Sequence, residues 1–588
     1  MQKKEILKLQ NLMKDNHIDA YIAFTSDYHN SEYIVDYFKT REYLSGFTGS
    51  AGTLIVLKDS AYLWVDGRYF LQAEEEVKDS GIILMKMGQK GVPTIFEFLN
   101  SHQKDIQRIN FDGKVATYNF VINVKKQLPN AEFVLDYDLI DQVWLNRPNL
   151  PVEKIYCIDK FAGKSSQDKL QDLQDKLIQL NVKHHILSSL DDIAWLLNLR
   201  GNDIKYNPVF LSYFYISNGK RILFIDVEKI PHKIKVYLQS LKVRIKPYND
   251  IYEYAKKLTK TILIDPMRIN YYLYDCLATK GKIILQENPT YLAKAIKNDT
   301  EIANLKKIHV YDGIAMVKFL YWLKLRVKTQ NISEISASEY LLKLRKKHKE
   351  FIQESFETIC AYKDHAAMMH YQSTEESDVD VKAEGMLLID SGGQYYGGTT
   401  DVTRTFILGP ISEEERKYFT LVLKSMLTLA NAKFLFGCRG SNLDILAREP
   451  LWEDGVDYRC GTGHGVGYFL GVHEGPNAFR WRSNPENLDA VLQPGMVITD
   501  EPGVYVPGKY GIRTENMLIC KKWQQNEYGA FLHFEPLTLV PIDLDGVDLS
   551  LFNEKEKQLL TDYQQFVYDT LSPHLNEEES AWLHTLTL

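Results

Sequence analysis

The first 150 residues follow a helical hydrophobic pattern and then several strand patterns. Apolar residues spaced three or four apart predict a helix over 5–15, because one face of a helix repeats every 3.6 residues. Apolar runs bounded by turn residues predict strands over 20–24, 52–59 and 61–66. A helix followed by strands in this order is typical of an α/β unit, which we place at residues 1–150.

A second stretch with the same layout begins near Pro151. Its helix is predicted to begin after Ser165 and Ser166, which are candidate cap residues. The apolar positions of this helix are Leu170, Leu173, Leu177 and Leu180. Strand patterns follow at 184–189, 209–217 and 220–226. The repeated layout predicts a second α/β domain, residues 151–300, and suggests a structural duplication.

A third domain, residues 301–588, is predicted from a change of pattern. It opens with a long amphipathic helix over 301–327. From residue 385 onward, short apolar runs alternate with glycine-rich turns, and a helical pattern returns at 553–570. The whole chain therefore belongs to the α/β (α+β) class, with two related domains before a third of different construction.

Composition and charge exclude several classes of protein. The 588 residues carry a net charge of −7, and no basic stripe of the kind that binds nucleic acid is present. No apolar run approaches the roughly 18–20 residues of a membrane span. The amphipathic N-terminus lacks the apolar core of a signal peptide, and the six cysteines form no CxxC pair. We therefore expect a cytoplasmic protein that binds neither nucleic acid nor membranes.

Two aspartates are expected to meet on a strand hairpin in the third domain. Asp390 ends the apolar run at 386–390, and Asp401 begins the next strand pattern after a glycine-rich turn. If the strands pair, the two carboxylates can face each other, where they repel unless a cation lies between them. The alternative is a pair of solvated turn residues.

A histidine and two glutamates supply further candidate ligands. His464 lies among glycines in GTGHGVG, and glycines allow close approach of the backbone. Glu501 follows the apolar run MVIT, and Glu515 lies within GIRTENMLI, which we predict to be one strand. A glutamate in an apolar strand must be paired or bound to metal. The alternative partners of Glu515 are Arg513 and Arg404, whereas a structural role is the alternative for His464.

Taken together, Asp390, Asp401, His464, Glu501 and Glu515 indicate a site for two metal ions. Four carboxylates and one imidazole favour hard divalent ions such as Mn²⁺ over zinc held by thiolates. Two ions about 3.5–4 Å apart can lower the pKa of a water that they share, which is the chemistry of a hydrolase. The sequence HEGPN is not the HExxH of a mononuclear zinc protease, and no GxSxG of a serine hydrolase occurs.

The same motifs resemble a known family over nearly the whole chain. LLIDSGGQY, TTDVTRT, GTGHGVG, TDEPG and GIRTEN are similar to the pita-bread metallopeptidases, above all to the Xaa-Pro aminopeptidases (aminopeptidase P). SGFTGSAGT at 45–53 and DDIAWLLNLRG at 191–201 resemble the two creatinase-like N-terminal domains of the long cytosolic form. The resemblance implies a homodimer that removes the N-terminal residue from peptides with proline at the second position.

The resemblance also implies a role for each site residue. The five ligands would hold two divalent ions, with Mn²⁺ favoured and Zn²⁺ or Co²⁺ as alternatives. Glu501 would also act as general base and then acid, and His473 would stabilise the oxyanion. His370 would contact the substrate and help to protonate the departing proline nitrogen.

One position departs from the family pattern. Many relatives have a histidine four residues before the metal-binding histidine, and this chain has Cys460 there. We expect Cys460, His370 and Arg513 to line the substrate pocket, so the substitution changes the polarity of the proline site. Two alternatives to the aminopeptidase are a prolidase that cleaves only dipeptides and a non-catalytic binding protein of the same fold. The second would require loss of metal ligands, and all five are present.

Overall fold

In the N-terminal sheet, side chains that alternate along each strand pack into two separate hydrophobic cores. The computed structural model describes residues 3–482 and 489–587. On the strand Thr53–Leu57, Leu54 and Val56 pack into one buried cluster and Ile55 packs into another. Successive side chains of a strand point to opposite faces, so this sheet is covered by apolar groups on both sides.

The predicted elements of the first 150 residues are observed with small changes at their ends. The helix predicted over 5–15 is Lys4–Asp15. The strands, in their order across a six-stranded sheet, are Ile82–Lys86, Ala61–Val65, Thr53–Leu57, Ala20–Phe24, Arg108–Asn110 and Glu132–Val134. The remaining helices are Thr40–Ser45, Phe70–Glu76, Ile95–Ser101, Tyr118–Gln127 and Ile140–Val143.

The second stretch builds a sheet of the same topology. Its strands, in sheet order, are Val243–Lys246, Lys220–Ile225, Ser212–Ser217, His184–Leu187, Lys260–Ile264 and Gly281–Leu285. Strand order along the chain and parallel or antiparallel pairing match the first sheet position by position. The duplication suggested by the sequence is therefore present in the topology.

Helices cover this second sheet, and a short ribbon lies beside it. Ser165 caps the first helix by accepting a hydrogen bond from the Asp168 amide, and Ser166 is the first helical residue. The helices are Ser166–Gln179, Leu190–Leu196, His232–Ser240, Asp250–Ala255 and Tyr271–Ala278. The ribbon pairs Tyr156–Cys157 with Leu199–Arg200.

Short sheets and long helices make up the rest of the chain. A three-stranded sheet consists of Ile359–Tyr362, Met386–Ser391 and Val402–Ile407, and a four-stranded sheet consists of Lys433–Leu435, Gly529–Pro536, Asn516–Asn526 and Val497–Asp500. The smaller sheets are Phe351–Glu354 with Gly393–Tyr395 and Gly398–Thr399, Ile332–Ser333 with Asp380–Val381, Gly463–His464 with Ala478–Phe479, and Gly503–Val506 with Tyr510–Arg513. The helices are Pro289–Ala295, Asp299–Arg326, Glu334–Arg345, Glu413–Ala430, Gly440–Leu443, Ile445–Trp452, Glu554–Leu571 and Glu577–His584.

The chain divides into two compact units. One comprises Met1–Asp159 with Lys164–Tyr291, and the other comprises Lys160–Gly163 with Leu292–Leu588. The three-domain division at residues 150 and 300 stays a prediction, and each of its first two segments has its own six-stranded sheet. Over the part of the chain that is described, every helix is too short or too polar to span a bilayer.

Candidate metal centre

Asp390 and Asp401 lie at the turn end of one strand hairpin. Met386–Ser391 pairs with Val402–Ile407 in antiparallel fashion, as predicted. The residue directly opposite Asp390 is Thr403, and Asp401 immediately precedes the second strand. The expectation that the two aspartates face each other is thus met only in part: they share one end of the hairpin but are not direct partners.

Glu501 and Glu515 share the end of a second strand pair. Val497–Asp500 pairs with Asn516–Asn526, with Asp500 opposite Asn516, so each glutamate is the next residue beyond the pairing. The single strand predicted through Glu515 is wrong. The chain forms one strand up to Arg513 and another from Asn516, and Glu515 lies in the break. Its amide donates to the Thr403 carbonyl, 3.1 Å away, on the three-stranded sheet.

Close backbone packing brings His464 to the same place. A Cβ atom on Gly463 would lie 1.9 Å from the Thr499 carbonyl oxygen, so only glycine fits before His464. The His464 amide donates to the Thr499 hydroxyl at 3.0 Å. That hydroxyl donates in turn to Glu501 Oε1 at 3.1 Å, so Thr499 orients both residues.

The distances between these side chains are short enough for them to share a metal ion. His464 Nε2 is 3.3 Å from Glu501 Oε1 and 3.5 Å from Asp401 Oδ2. One ligand atom from each of Asp401, His464 and Glu515 lies within 4.8 Å of the others. Thr403 donates to Glu515 Oε2 at 2.8 Å and fixes that carboxylate. Three of the five predicted ligands are therefore close enough together to hold one metal ion.

Repulsion among the buried carboxylates of the cluster would be relieved by a bound cation. Burial, together with repulsion from neighbouring carboxylates, raises the pKa of Asp401 and of Glu515 well above the usual values. Burial also raises the pKa of Asp390, against the charge of Arg513, and Asp390 Oδ1 is buried without a hydrogen-bond partner. Burial opposes ionisation of Glu501, but the hydrogen bond and charge of His464 outweigh it and lower the pKa. The donor set fits hard divalent ions.

Arg513 lies against the carboxylates with its side chain 4% exposed. It donates to Asp390 Oδ2 at 2.5 Å, to the Tyr505 hydroxyl at 2.6 Å and to the Thr403 hydroxyl at 3.1 Å. Arg513 and Arg404 were the alternative partners of the Glu515 carboxylate, and neither forms an ion pair with it in these contacts. Arg513 pairs with Asp390, and Arg404 donates to the main-chain oxygen of Glu515.

The three remaining predicted residues lie beside the cluster. The His473 ring packs perpendicular to the His464 ring, with centroids 4.2 Å apart. His370 is half-buried, and the carbonyl of the preceding residue accepts from Arg513 Nη2 at 3.4 Å. Cys460 is half-buried. Burial raises the pKa of the nearby Tyr505 hydroxyl, and a negative charge on the Cys460 thiol would raise it further. Their catalytic and pocket roles stay predictions.

Three hydroxyl residues of the site were missed from the sequence. Thr403, Thr499 and Tyr505 each bond a predicted ligand or its arginine partner. All three lie within four residues of a predicted ligand, and Thr403 and Thr499 lie inside the quoted motifs. Their proximity was the only signal, because a hydroxyl in a strand is ordinarily unremarkable.

Models of known families cover almost the entire chain. The creatinase/prolidase N-terminal domain matches residues 6–143, and a second model of that domain matches 146–301. Metallopeptidase family M24 matches residues 303–522, which include all five predicted ligands, and its C-terminal region matches 530–588. The predicted arrangement of two creatinase-like domains before a pita-bread metallopeptidase domain is confirmed.

Full-length relatives agree with these matches. Xaa-Pro aminopeptidase 1 of Dictyostelium discoideum is 38% identical over 606 residues, covering 99% of this chain and 95% of its own. A probable Xaa-Pro aminopeptidase P of Pyricularia oryzae is 37% identical, covering 99% of this chain and 98% of its own. The crystal structure of X-prolyl aminopeptidase from Caenorhabditis elegans, described as a cytosolic enzyme with a di-nuclear active site, matches with a TM-score of 0.94. It is 33% identical, covering 100% of this chain and 99% of its own. The chain therefore belongs to metallopeptidase family M24, among the relatives named Xaa-Pro aminopeptidases.

Proposed function

We propose that this chain is a metal-dependent Xaa-Pro aminopeptidase, which removes one N-terminal residue from peptides with proline at the second position. The observation that carries the proposal is the convergence of Asp401, His464 and Glu515 within 4.8 Å, in a domain of family M24. Hydrolysis of a peptide bond needs an activated water and a stabilised oxyanion, and a carboxylate-rich metal centre supplies both.

We assign two divalent ions to Asp390, Asp401, His464, Glu501 and Glu515. The di-nuclear site of the Caenorhabditis elegans relative supports the number, and the excess of oxygen ligands supports Mn²⁺ over Zn²⁺ or Co²⁺. Bound divalent ions would supply Lewis acidity, which lowers the pKa of an attacking water and polarises the peptide carbonyl.

Three side chains are assigned to proton transfer and oxyanion stabilisation. Glu501 is the proposed general base and acid, because its side chain is 21% exposed and its carboxylate lies 3.3 Å from His464 in the cluster. His473, packed on His464, is the proposed donor to the oxyanion. His370, next to the carbonyl that binds Arg513, is the proposed proton donor to the proline nitrogen.

The proline pocket is assigned to the region of Cys460 and His370. Tyr505 links this region to the carboxylates. Its hydroxyl accepts a hydrogen bond from Arg513, and a negative charge on Cys460 would add to the burial that raises its pKa. The contacts of Arg513 favour a role in holding Asp390 over direct contact with substrate. We keep its predicted place in the pocket as the alternative.

The proposed substrates are peptides, and we expect the chain to bind neither nucleic acid nor membranes. We also propose a cytoplasmic location, since the Caenorhabditis elegans relative is described as cytosolic. A homodimer is expected from the family resemblance, and sedimentation analysis of the purified chain would test it.

Two alternatives differ in what they cleave. A prolidase would hydrolyse only dipeptides such as Ala-Pro, whereas the full-length relatives carry the name Xaa-Pro aminopeptidase. A non-catalytic binding protein would cleave nothing, and retention of all five ligand residues argues against it.

The test is a peptide panel with the Mn²⁺-loaded protein. We expect Ala-Pro-Ala to release alanine, Ala-Ala-Ala to react at least ~100-fold more slowly, and Ala-Pro to be a poor substrate, because one missing pocket contact costs a few kcal/mol. Equal rates for Ala-Pro-Ala and Ala-Ala-Ala would contradict proline specificity. Cleavage of Ala-Pro alone would identify a prolidase.

A further inference from the structure

A buried arginine behind the candidate metal centre is held by uncharged groups. Arg404 lies on the strand Val402–Ile407 and is 1% exposed. Its six acceptors are the main-chain oxygens of Thr403, Glu515, Val540 and Pro541, the Asn516 side-chain oxygen and the Tyr563 hydroxyl. A guanidinium has five N–H donors, and burying its charge is tolerable only when those donors are satisfied. These bonds therefore leave Arg404 little freedom to move.

One side of Arg404 is bonded to the main chain of a proposed metal ligand. Its Nη1 donates to the carbonyl oxygens of Thr403 and Glu515. The same two residues bond each other twice: the Glu515 amide donates to the Thr403 carbonyl at 3.1 Å, and the Thr403 hydroxyl donates to Glu515 Oε2 at 2.8 Å. A shift of Arg404 would therefore move the main chain from which the Glu515 carboxylate projects.

The other side of Arg404 is bonded to the C-terminal region. Its Nη2 donates to the Val540 carbonyl at 2.7 Å and to the Tyr563 hydroxyl at 2.8 Å. Tyr563 lies on the helix Glu554–Leu571, and its hydroxyl is 2.9 Å from the Val540 oxygen and 3.1 Å from the Thr538 oxygen. Arginine can only donate, so the hydroxyl accepts from Arg404 and directs its own hydrogen elsewhere. This hydroxyl joins the helix to the arginine.

We propose that Tyr563 is a positioning residue for the metal centre, acting through Arg404 on Glu515. The proposal rests on the metal assignment made above. It gives the C-terminal region, matched separately from the M24 domain, a specific part in the site. Tyr563 acts by restricting where the Glu515 carboxylate lies before an ion binds, which is how residues beyond the ligands tune metal affinity.

The first test is the variant Tyr563→Phe, which removes the hydroxyl and keeps the ring. Mn²⁺ binding to the metal-free variant is measured by isothermal titration calorimetry. We expect the Kd of the more weakly held ion to rise ~10-fold, the size typical of losing an outer contact to a ligand. Hydrolysis of Ala-Pro-Ala should fall at limiting Mn²⁺ and recover when Mn²⁺ is saturating. An unchanged Kd would overturn the proposal.

The matched control is Gln564→Met, one residue further along the same helix. Gln564 bonds both the amide and the carbonyl of Ile542 and the carbonyl of Leu586, so the variant also loosens the helix. We expect its melting temperature to fall at least as far as that of Tyr563→Phe, with the Kd for Mn²⁺ unchanged. An equal rise in Kd would show that both residues act through general stability, which would overturn the positioning role.

A second variant keeps the proposal testable if Tyr563→Phe does not fold. Arg404→Lys retains the charge but has three donors instead of five, and it should raise the Kd by more than ~10-fold. A folded Arg404→Lys protein with normal affinity would contradict the inference. Failure of the unaltered chain to bind Mn²⁺ would overturn the proposed function itself. Unchanged affinity of the variants, with two ions bound by the unaltered chain, would overturn only the role of Tyr563.

Discussion

Hydroxyl groups hold the carboxylates of the candidate centre in place. Thr403 donates to Glu515 and accepts from Arg513, and Thr499 connects the His464 amide to Glu501. These bonds fix the ligand side chains by contacts within the protein, so little conformational freedom remains to be lost when an ion binds. The cost is electrostatic, because buried carboxylates repel one another until a cation arrives.

That cost gives Glu515→Gln opposite effects on stability and activity. Removing one repelling charge should leave the melting temperature of the metal-free protein equal or higher, since the pKa of Glu515 is raised by burial and by Asp401. The same change should lower metal content and slow hydrolysis at least ~100-fold. Thermal unfolding, elemental analysis and initial rates measure the three quantities.

The matched control for this prediction is Glu527→Gln. Glu527 is exposed at the turn that follows the strand Asn516–Asn526, so its loss should change none of the three quantities. Near-normal turnover by Glu515→Gln with two ions still bound would show that Glu515 is not a ligand.

At the residue scale, short motifs predicted the candidate ligands but not the side chains that hold them in place. The five candidate ligands were predicted because acidic residues lie in or beside apolar strand patterns and because His464 lies among glycines. The contacts among Arg404, Tyr563 and Glu515 join residues far apart along the chain, so no local sequence pattern predicts them. A serine, threonine or tyrosine in a strand gives no sequence signal until its partner is known.

At the scale of secondary structure, the strand through Glu515 shows what local patterns miss. Tyr510–Arg513 pairs with Gly503–Val506, whereas Asn516–Asn526 pairs with Val497–Asp500. Between them, the Glu515 amide bonds Thr403 on a third sheet. Hydrophobic alternation predicted strand structure on both sides correctly, but the change of partner depends on packing that only the folded chain provides.

The loop that follows His464 and carries His473 depends on another long-range contact. Glu474 is buried, 2.7 Å from the Lys297 ammonium and 3.4 Å from that of Lys294. Both lysines precede the long helix Asp299–Arg326, so this helix start is anchored to the loop. Buried charges need such partners, but the sequence does not reveal which lysine meets which glutamate.

At the scale of the whole molecule, the proposed metal ligands and the two duplicated sheets lie in different units. All five proposed ligands lie in the unit that contains Leu292–Leu588. The other unit contains the two six-stranded sheets of identical strand order. The repeated pattern of helices and strands was visible in the sequence, whereas the strand order required the structure, because neighbouring strands in these sheets are not always neighbours along the chain.

The unit with the two sheets should lose stability in mild acid. Burial lowers the pKa of His29 and of His185 to about 4, so both are neutral when folded and protonate near 6.5 when unfolded. Their stabilising contribution is complete above pH 6.5 and is lost as the pH falls towards 4. By linkage, each histidine should cost roughly 2 kcal/mol at pH 5 relative to pH 8.

Hydrogen exchange of peptides from this unit in urea, at pH 8 and pH 5, measures the effect. His29 donates to the Ser188 carbonyl and accepts from Tyr248, a pattern that glutamine can reproduce. The double variant His29→Gln and His185→Gln should therefore show a flatter pH dependence. The same slope in the variant and the unaltered protein would assign the effect to other groups.

The metal dependence of proline-directed hydrolysis tests the central claim most directly. The purified protein is stripped with a chelator, its metal content is determined, and hydrolysis of Ala-Pro-Ala is followed before and after Mn²⁺ is restored. We predict no turnover without metal, and full recovery when about two ions per chain are bound. Undiminished hydrolysis by protein that contains no detectable metal would contradict the account.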